Sequence, residues 1–405
     1  MHLTINNNLS SSHKKGPSLY ESSKVFAKIG LLSFGGPVAQ IALMHKELTA
    51  EREWLAESQF LSALSFCMFL PGPEAMQLAT YAGWRLNGTK GGLIAGILFV
   101  LPGATLVMVL ASIYAVFGNI PFIQAIFIGI KATVIIIVIE ALLKIFKKSM
   151  RQKIHWYLAG SSFIAFFFLS ISFPIIIIGA AIVGLLFFKS DGGSEDNKIP
   201  IKYVSIGSTI CTILIWLFIW FVPLTIVYLV FGEDHVFSDL GVFFSKLAVV
   251  SFGGAYSVLA YMVQEVVQNY GWLNTDEMLD GLGLAETTNG PLILVNEFVG
   301  YLAAYRMGGF PPIMAGIFGA IITLWATFIP CFLWIFVGAP YVESVQHSKI
   351  LQGALNGVMA AVVGVILNLS VWFSLHVFFS SVPHYFYKDV FEDKEERDNF
   401  LNNIL

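Results

Sequence analysis

Residues 26–37 read FAKIGLLSFGGP, and residues 244–255 read FSKLAVVSFGGA. A shift of 218 positions lays Phe26, Lys28, Ser33, Phe34, Gly35 and Gly36 on Phe244, Lys246, Ser251, Phe252, Gly253 and Gly254. The register continues without a gap, placing Glu47 on Glu265, Trp54 and Leu55 on Trp272 and Leu273, and Gly72 and Pro73 on Gly290 and Pro291. Further on the offset becomes 228, with Pro102 on Pro330, Gln124 on Gln352 and Gly129 on Gly357. Shared apolar composition accounts for matched Leu and Ile. It does not account for Lys, Trp and paired glycines recurring at one spacing, so the chain is read as two homologous halves with a ten-residue insertion in the second.

Composition says where these halves reside. Of 405 residues, 57% are apolar and 12% charged, with a mean hydropathy of +0.76. Soluble domains carry roughly 25% charged residues, and so few polar groups cannot cover a water-facing exterior. The chain belongs in a bilayer. A net charge of −3 spread thinly gives no basic face for nucleic acid. Cys67, Cys211 and Cys331 lie in apolar stretches with neither disulfide nor metal-ligand spacing and are expected to be small core residues. No metal or cofactor is implied. An enzyme would need a nucleophile and base, or a motif such as His-Glu-x-x-His, within the spans, and neither occurs.

A span needs about 20 apolar residues to cross a hydrocarbon core of roughly 30 Å. Such segments run from Gly91 to Phe117, Ile120 to Leu143, His155 to Phe173, Tyr203 to Phe231, Pro311 to Val337 and Leu351 to Phe379, with Pro174 to Phe188 shorter but wholly apolar. Four others, Phe26 to Glu47, Ser58 to Leu86, Phe237 to Glu265 and Leu279 to Tyr305, are interrupted by Gly or Pro. In lipid such breaks are tolerated where the freed backbone meets protein or a water-filled cavity. The expected organisation is a cytoplasmic tail (1–23), a first half (24–188), a polar cytoplasmic linker (189–202), a connecting helix (203–231), a second half (237–381) and a charged tail (382–405).

Lys and Arg collect on cytoplasmic loops, and Lys144, Lys147, Lys148, Arg151 and Lys153 form a basic loop. An even number of segments separates it from Lys14, Lys15 and Lys24. Three more spans lead to Gly232-Glu233-Asp234-His235, which lacks Lys and Arg and suits the outside. The second half then enters from the opposite side. The fold class expected is therefore an all-α polytopic membrane protein built as an inverted repeat of two homologous halves with discontinuous, Gly/Pro-broken helices. Trp54, Trp156 and Trp272, each near charged residues, read as interface aromatics.

The runs FAKIGLLSFGGP (Phe26 to Pro37), E-x6-W-L (Glu47 to Leu55), FLPGPEAMQ (Phe69 to Gln77), SFGGAY (Ser251 to Tyr256) and LAETTNGP (Leu284 to Pro291) together resemble the chromate ion transporter family. The resemblance covers about Phe26 to Phe379, the long-chain, two-domain pattern of that family. It implies a bacterial inner-membrane carrier that exports chromate, driven by the membrane potential or proton gradient, with sulfate as competitor or counter-substrate. The sequence departs from the pattern at Asn289-Gly290-Pro291, where the first proline of a Pro-Gly-Pro is missing.

The motifs also carry physics of their own. Gly35 and Gly36 open backbone conformations closed to other residues, and Pro37 fits the first turn of a new helix; Gly72 and Pro73 repeat the device. Four half-helix N-termini, each worth about +0.5 charge, would together balance a tetrahedral dianion. The substrate-binding candidates are Lys28, Ser33, Gly35, Gly36, Pro37, Gly72, Pro73, Gln77, Lys131, Lys246, Ser251, Gly253, Gly254, Asn289, Gly290 and Pro291. The competing reading is that Gly and Pro merely kink membrane helices or let them pack closely. Lys28 and Lys246 serve either anion attraction or interfacial anchoring. Glu74, Glu286 and Glu297 are the proton-coupling candidates, since a carboxyl within a span seldom persists without use; Glu74 could equally be a helix-start residue. The partners expected are chromate or a sulfate-like oxyanion and the lipid bilayer, with a homodimer left open. A channel, or a carrier for sulfate or molybdate, is the alternative.

Overall fold

The computed structural model describes residues 16–118, 152–169, 171–187, 206–252, 255–342 and 349–378, together with isolated positions between 120 and 150. The linker 189–202, the tail 382–405, Lys144, Lys148 and Arg151 of the basic loop, and the site candidates Lys131, Gly253 and Gly254 lie outside the described residues. Those described form helices and no strand.

Helix α1 (Leu19–Leu32) starts inside the stretch read as tail, because Ser18 and Glu21 close a reciprocal capping box there. Helix α2 (Gly36–His45) runs into one π-helical turn, Lys46–Ala50. Nζ of Lys28 reaches Oε1 of Glu47 at 2.6 Å, so α2 folds back along α1. Helix α3 (Glu57–Cys67) precedes α4 (Glu74–Phe117), whose 44 residues are interrupted by non-helical Asn87 and Gly88. The two arms of α4 form a hairpin, since a Cβ added to Gly83 would meet Gly91 and Ala95. Then come α5 (Lys153–Phe167), α6 (Phe173–Phe187) and α7 (Ile206–Phe231).

The order then recurs. Helix α8 (Val236–Val250) is followed by α9 (Ala255–Val263), whose π-helical turn Gln264–Asn269 falls at the 218-residue shift from the first. The amide of Trp54 donates to the Leu48 carbonyl at 2.8 Å, and that of Trp272 to Val266 at 3.0 Å. Helix α10 (Thr275–Thr287) begins at the shifted position of Glu57. A short 3-10 turn leads into α11 (Val295–Met307), which packs along α12 (Pro312–Gly338) as the arms of α4 do, and α13 (Lys349–Phe378) ends the described chain. Glu74–Phe117, Ile206–Phe231, Pro312–Tyr341 and Gln352–Val371 are long and apolar enough to cross a membrane.

Helix α7 has no counterpart among the described residues of the first half and packs on α8 and α12. Pro223 lacks the N–H that would bond the Ile219 carbonyl four residues back, and the indole of Trp325 donates to that carbonyl at 3.2 Å and to Trp220 at 3.3 Å. Trp216 stacks on Phe332 and Phe336. Helices α5 and α6 lie against α13 across small residues: a Cβ on Gly364 would meet the backbone of Ala159, and one on Gly357 that of Ala180 and Gly184.

Three sequence expectations are corrected. Trp272 is no interface aromatic: it is 2% exposed, stacked on Tyr270 and packed against Phe243 and Phe244. Cys211 is exposed on α7, while Cys67 and Cys331 are buried as expected. The segment His155 to Phe173 is not one helix, because α5 stops at Phe167 and α6 starts at Phe173.

The close approach of α13 to α6 gives a packing test. Gly357→Leu forces a side chain into the Ala180 carbonyl, and overpacking of this kind costs about 1–3 kcal/mol. Purified Gly357→Leu protein is expected to melt several degrees below the parent in a thermal scan. Gly160→Leu, which enters open space on the exposed face of α5, is expected to melt with the parent.

Candidate functional site

Helix α1 ends at Leu32 and α2 starts at Gly36; α3 ends at Cys67 and α4 starts at Glu74; α8 ends at Val250 and α9 starts at Ala255; and α10 ends at Thr287, ahead of the 3-10 turn Leu292–Leu294 and α11. Gly35 and Gly36 have φ of +85° and +76°, Gly72 has +115° and Gly290 +96°, conformations that glycine alone adopts cheaply. Pro37 occupies the first turn of α2, and Pro73 caps α4. The Gly35–Gly36 break is open, with no atom within 4 Å of a Cβ built on Gly36, whereas Pro71, Gly72, Pro73, Asn289, Gly290 and Pro291 are all buried.

The breaks meet across the halves in a reciprocal exchange. The amide of Gly72 donates to the Ser251 carbonyl at 3.0 Å, and the amide of Gly290 donates to the Ser33 carbonyl at 2.9 Å. The 218-residue shift turns each pair into the other. The walls behind them correspond too: Cys331 stands 2.9 Å from a Cβ built on Gly72, and Gly103, its counterpart at the 228-residue shift, has its Cα 3.3 Å from one built on Gly290.

The two crossings are braced differently. Gln40 donates its Nε2 to the Gly290 carbonyl at 2.6 Å, and Asn289 donates Nδ2 to the Gly30 carbonyl at 3.3 Å, so both tie one half to the other. Their counterparts, Val258 and Pro71, have no side-chain donor. Gln77 instead donates to Pro71 of its own half at 2.7 Å. Asn289 therefore replaces the missing proline with a hydrogen bond that fixes the break. Oε1 of Gln40, Oε1 of Gln77 and Oδ1 of Asn289 are buried without a hydrogen-bond partner among the described residues. These oxygens accept only, so they suit water or a protonated group; contacts to an anion fall to the N–H groups in the first turns of α2 and α4, which helix geometry leaves unpaired.

The ionisable candidates separate. Lys28 is committed to Glu47, whose other oxygen takes Nη1 of Arg52 at 2.6 Å, and the Arg52 guanidinium lies over Trp54. Lys246 forms no such pair among the described residues: Glu265, at the position of Glu47, accepts from Asn269 instead, and Lys246 is exposed. Glu74 opens α4 half-buried, and Glu286 is half-buried near the end of α10. Glu297, in the first turn of α11, is fully buried, and neither carboxyl oxygen has a partner among the described residues.

Residues 20–185 and 238–390 match the profile of the chromate transporter family, one stretch in each half. The chain belongs to the chromate transporter family. It is 30% identical over 357 residues to a probable chromate transport protein of Synechococcus elongatus, covering 87% of this chain and 84% of that protein. It is 29% identical over 341 residues to the chromate transport protein of Cupriavidus metallidurans, covering 84% and 79% of the two chains. To the chromate transport protein of Pseudomonas aeruginosa it is 30% identical over 349 residues, or 84% and 77%. No solved structure matches. As a member of this family the chain is a multi-pass membrane protein.

Within the family motifs the structure brings together Ser33 with Gly290, and Ser251 with Gly72, and it stations Lys28 and Lys246 on the flanks. Sequence reasoning passed over Gln40 and Cys331. Both were findable as positions where the repeat disagrees with itself in polarity or size, Gln40 against Val258 and Cys331 against Gly103.

Gly72→Ala strains a positive φ and drives a methyl group against Cys331 Sγ and Gln77 Nε2. Gly36→Ala carries only the conformational cost of about 1–2 kcal/mol. Anion transport by Gly72→Ala is expected to fall at least tenfold, further than in Gly36→Ala, and Cys331→Ala in the Gly72→Ala background is expected to restore part of it. Equal loss in both single variants, with no rescue, would place the effect in the backbone strain alone.

Proposed function

We propose that this protein is a secondary transporter that exports chromate across a bacterial inner membrane, with its halves arranged as an inverted repeat and its broken helices forming the oxyanion site. The observation that carries this reading is the reciprocal pair of hydrogen bonds, Gly72 to Ser251 and Gly290 to Ser33. A swap between equivalent positions is what two related halves make when they face each other about a two-fold axis. Helix starts on both sides of that axis offer unpaired N–H groups to a tetrahedral dianion, which needs several donors at once. The names of the chromate transport relatives agree with chromate as cargo; sulfate, of the same charge and shape, is the natural competitor or exchange partner.

Coupling to protons is assigned to Glu297. An ionised carboxylate without partners is costly in so buried a place, so Glu297 exchanges a proton when a conformational step admits water to it. Glu74 and Glu286, only half-buried, are the weaker candidates.

Glu297→Gln keeps the shape and loses the proton site. In proteoliposomes it is expected to bind chromate within about threefold of the parent while proton flux accompanying transport disappears. Glu74→Gln and Glu286→Gln are expected to retain the flux. Proton flux persisting in Glu297→Gln would remove the carboxyl from the coupling role. Saturable, sulfate-stimulated chromate movement supports a carrier, whereas a voltage-dependent single-channel current supports a channel.

Orientation has a separate test. In a Cys211→Ser background, Ser194→Cys is expected to react with an impermeant maleimide only from the cytoplasmic side and Asp234→Cys only from outside. Labelling of both from one side would overturn the inverted repeat.

A further inference from the structure

The same face of the repeated first helix borders a groove in both halves. On α1 the groove is lined by Lys24, Lys28, Leu31 and Leu32, and on α8 by their 218-shifted counterparts Val242, Lys246, Val249 and Val250. Two differences set the second groove apart. Helix α7, which has no counterpart among the described residues of the first half, roofs it with Trp220, Phe221, Leu224 and Tyr228, making a cavity of about 640 Å³. And Lys246, the sole charged residue among the described residues lining that cavity, makes no ion pair among them, whereas Lys28 is neutralised by Glu47.

We propose that this cavity is a binding site for an anionic phospholipid, with an acyl chain lying between α7 and α8 and its phosphate held by Lys246. The walls are aliphatic and aromatic, as an acyl chain requires, and the volume falls within the usual range for a bound small molecule. A lysine whose stem lies along an apolar wall carries its ammonium toward the interface, where anionic headgroups are attracted to it. Ser238 and Ser245 also line the cavity; Ser238 donates its hydroxyl to the Gly232 carbonyl, and the Ser245 oxygen accepts from the indole N–H of Trp220. The cation is thus the cavity's main attraction for a charged ligand. A small dianion alone would leave the apolar walls unused, which favours an amphiphile over the transported oxyanion here.

The test uses purified full-length protein in neutral detergent, titrated with phosphatidylglycerol or phosphatidylcholine and read by native mass spectrometry and thermal unfolding. Phosphatidylglycerol is expected to bind at least tenfold more tightly than phosphatidylcholine and to raise the melting temperature. Lys246→Gln is expected to abolish the preference, and Leu224→Trp, which fills the roof from α7 and leaves the lysine in the sequence, to lower binding of both lipids. Lys28→Gln is expected to leave the preference intact. Equal binding of the two lipids by the parent would overturn the proposal, as would an unchanged preference in Lys246→Gln. Displacement of phosphatidylglycerol by millimolar sulfate would overturn it too and give Lys246 to the oxyanion path. Should Lys246→Gln not fold, Leu224→Trp decides: unchanged lipid binding in that variant rejects the cavity.

Discussion

A backbone that breaks its helix inside a membrane must find partners for the amides and carbonyls it releases, since lipid supplies none. Here the breaks near Ser33 and Ser251 each release a carbonyl, and the breaks at Gly72 and Gly290 each release an amide. Neither half joins its own pair. The amide of one is given to the carbonyl of the other, so each half is completed by its counterpart. This exchange explains why the motif positions are glycines and prolines: Gly72 and Gly290 turn their amides through a positive φ, and the prolines beside them have no N–H to satisfy. It also explains the small residues opposite, because Gly103 and Cys331 must let the other half's break approach closely.

Once the halves depend on each other, differences between them become informative. The Ser33–Gly290 crossing carries two further ties from side chains, Gln40 to Gly290 and Asn289 to Gly30. The Ser251–Gly72 crossing cannot copy them, because Val258 and Pro71 occupy the equivalent positions. Net contributions of about 0.5–1.5 kcal/mol per buried hydrogen bond make these two ties worth roughly 1–3 kcal/mol. A motion separating the halves thus meets more resistance at the first crossing than at the second. The sequence departure at Asn289 is part of that asymmetry, a side-chain tie standing where a ring would have limited the backbone.

The repeat was legible from residues alone because Lys, Trp and Gly-Gly cannot coincide at one offset by composition, and one family match falls in each half. The helical class followed from hydropathy. What escaped the sequence depended on tertiary placement. Trp272 has charged neighbours along the chain, as an interface residue would, yet aromatic packing with Tyr270, Phe243 and Phe244 buries it. Arg52 is replaced by Tyr270 in the second half, so an ion-pair cluster in one half becomes an aromatic stack in the other, a change visible only when the folded-back helices are set side by side. The role of Gln40 depends on the position of Gly290, 250 residues away, which no local pattern displays.

Helix α7 shows how an element outside the repeat settles into a repeated frame. Pro223 leaves the Ile219 carbonyl without its helical donor, and Trp325 supplies one, so α7 is attached to α12 at a gap in its own ladder. At the corresponding place in the first half, position 97 is isoleucine and exposed, and nothing there could satisfy such a carbonyl. The connecting helix therefore has a docking site in one half only. Its asymmetric seat follows from Trp325, Phe332 and Phe336 standing where the first half has Ile97, Ala104 and Met108, and with it comes the roof that distinguishes the groove beside α8 from the open one beside α1.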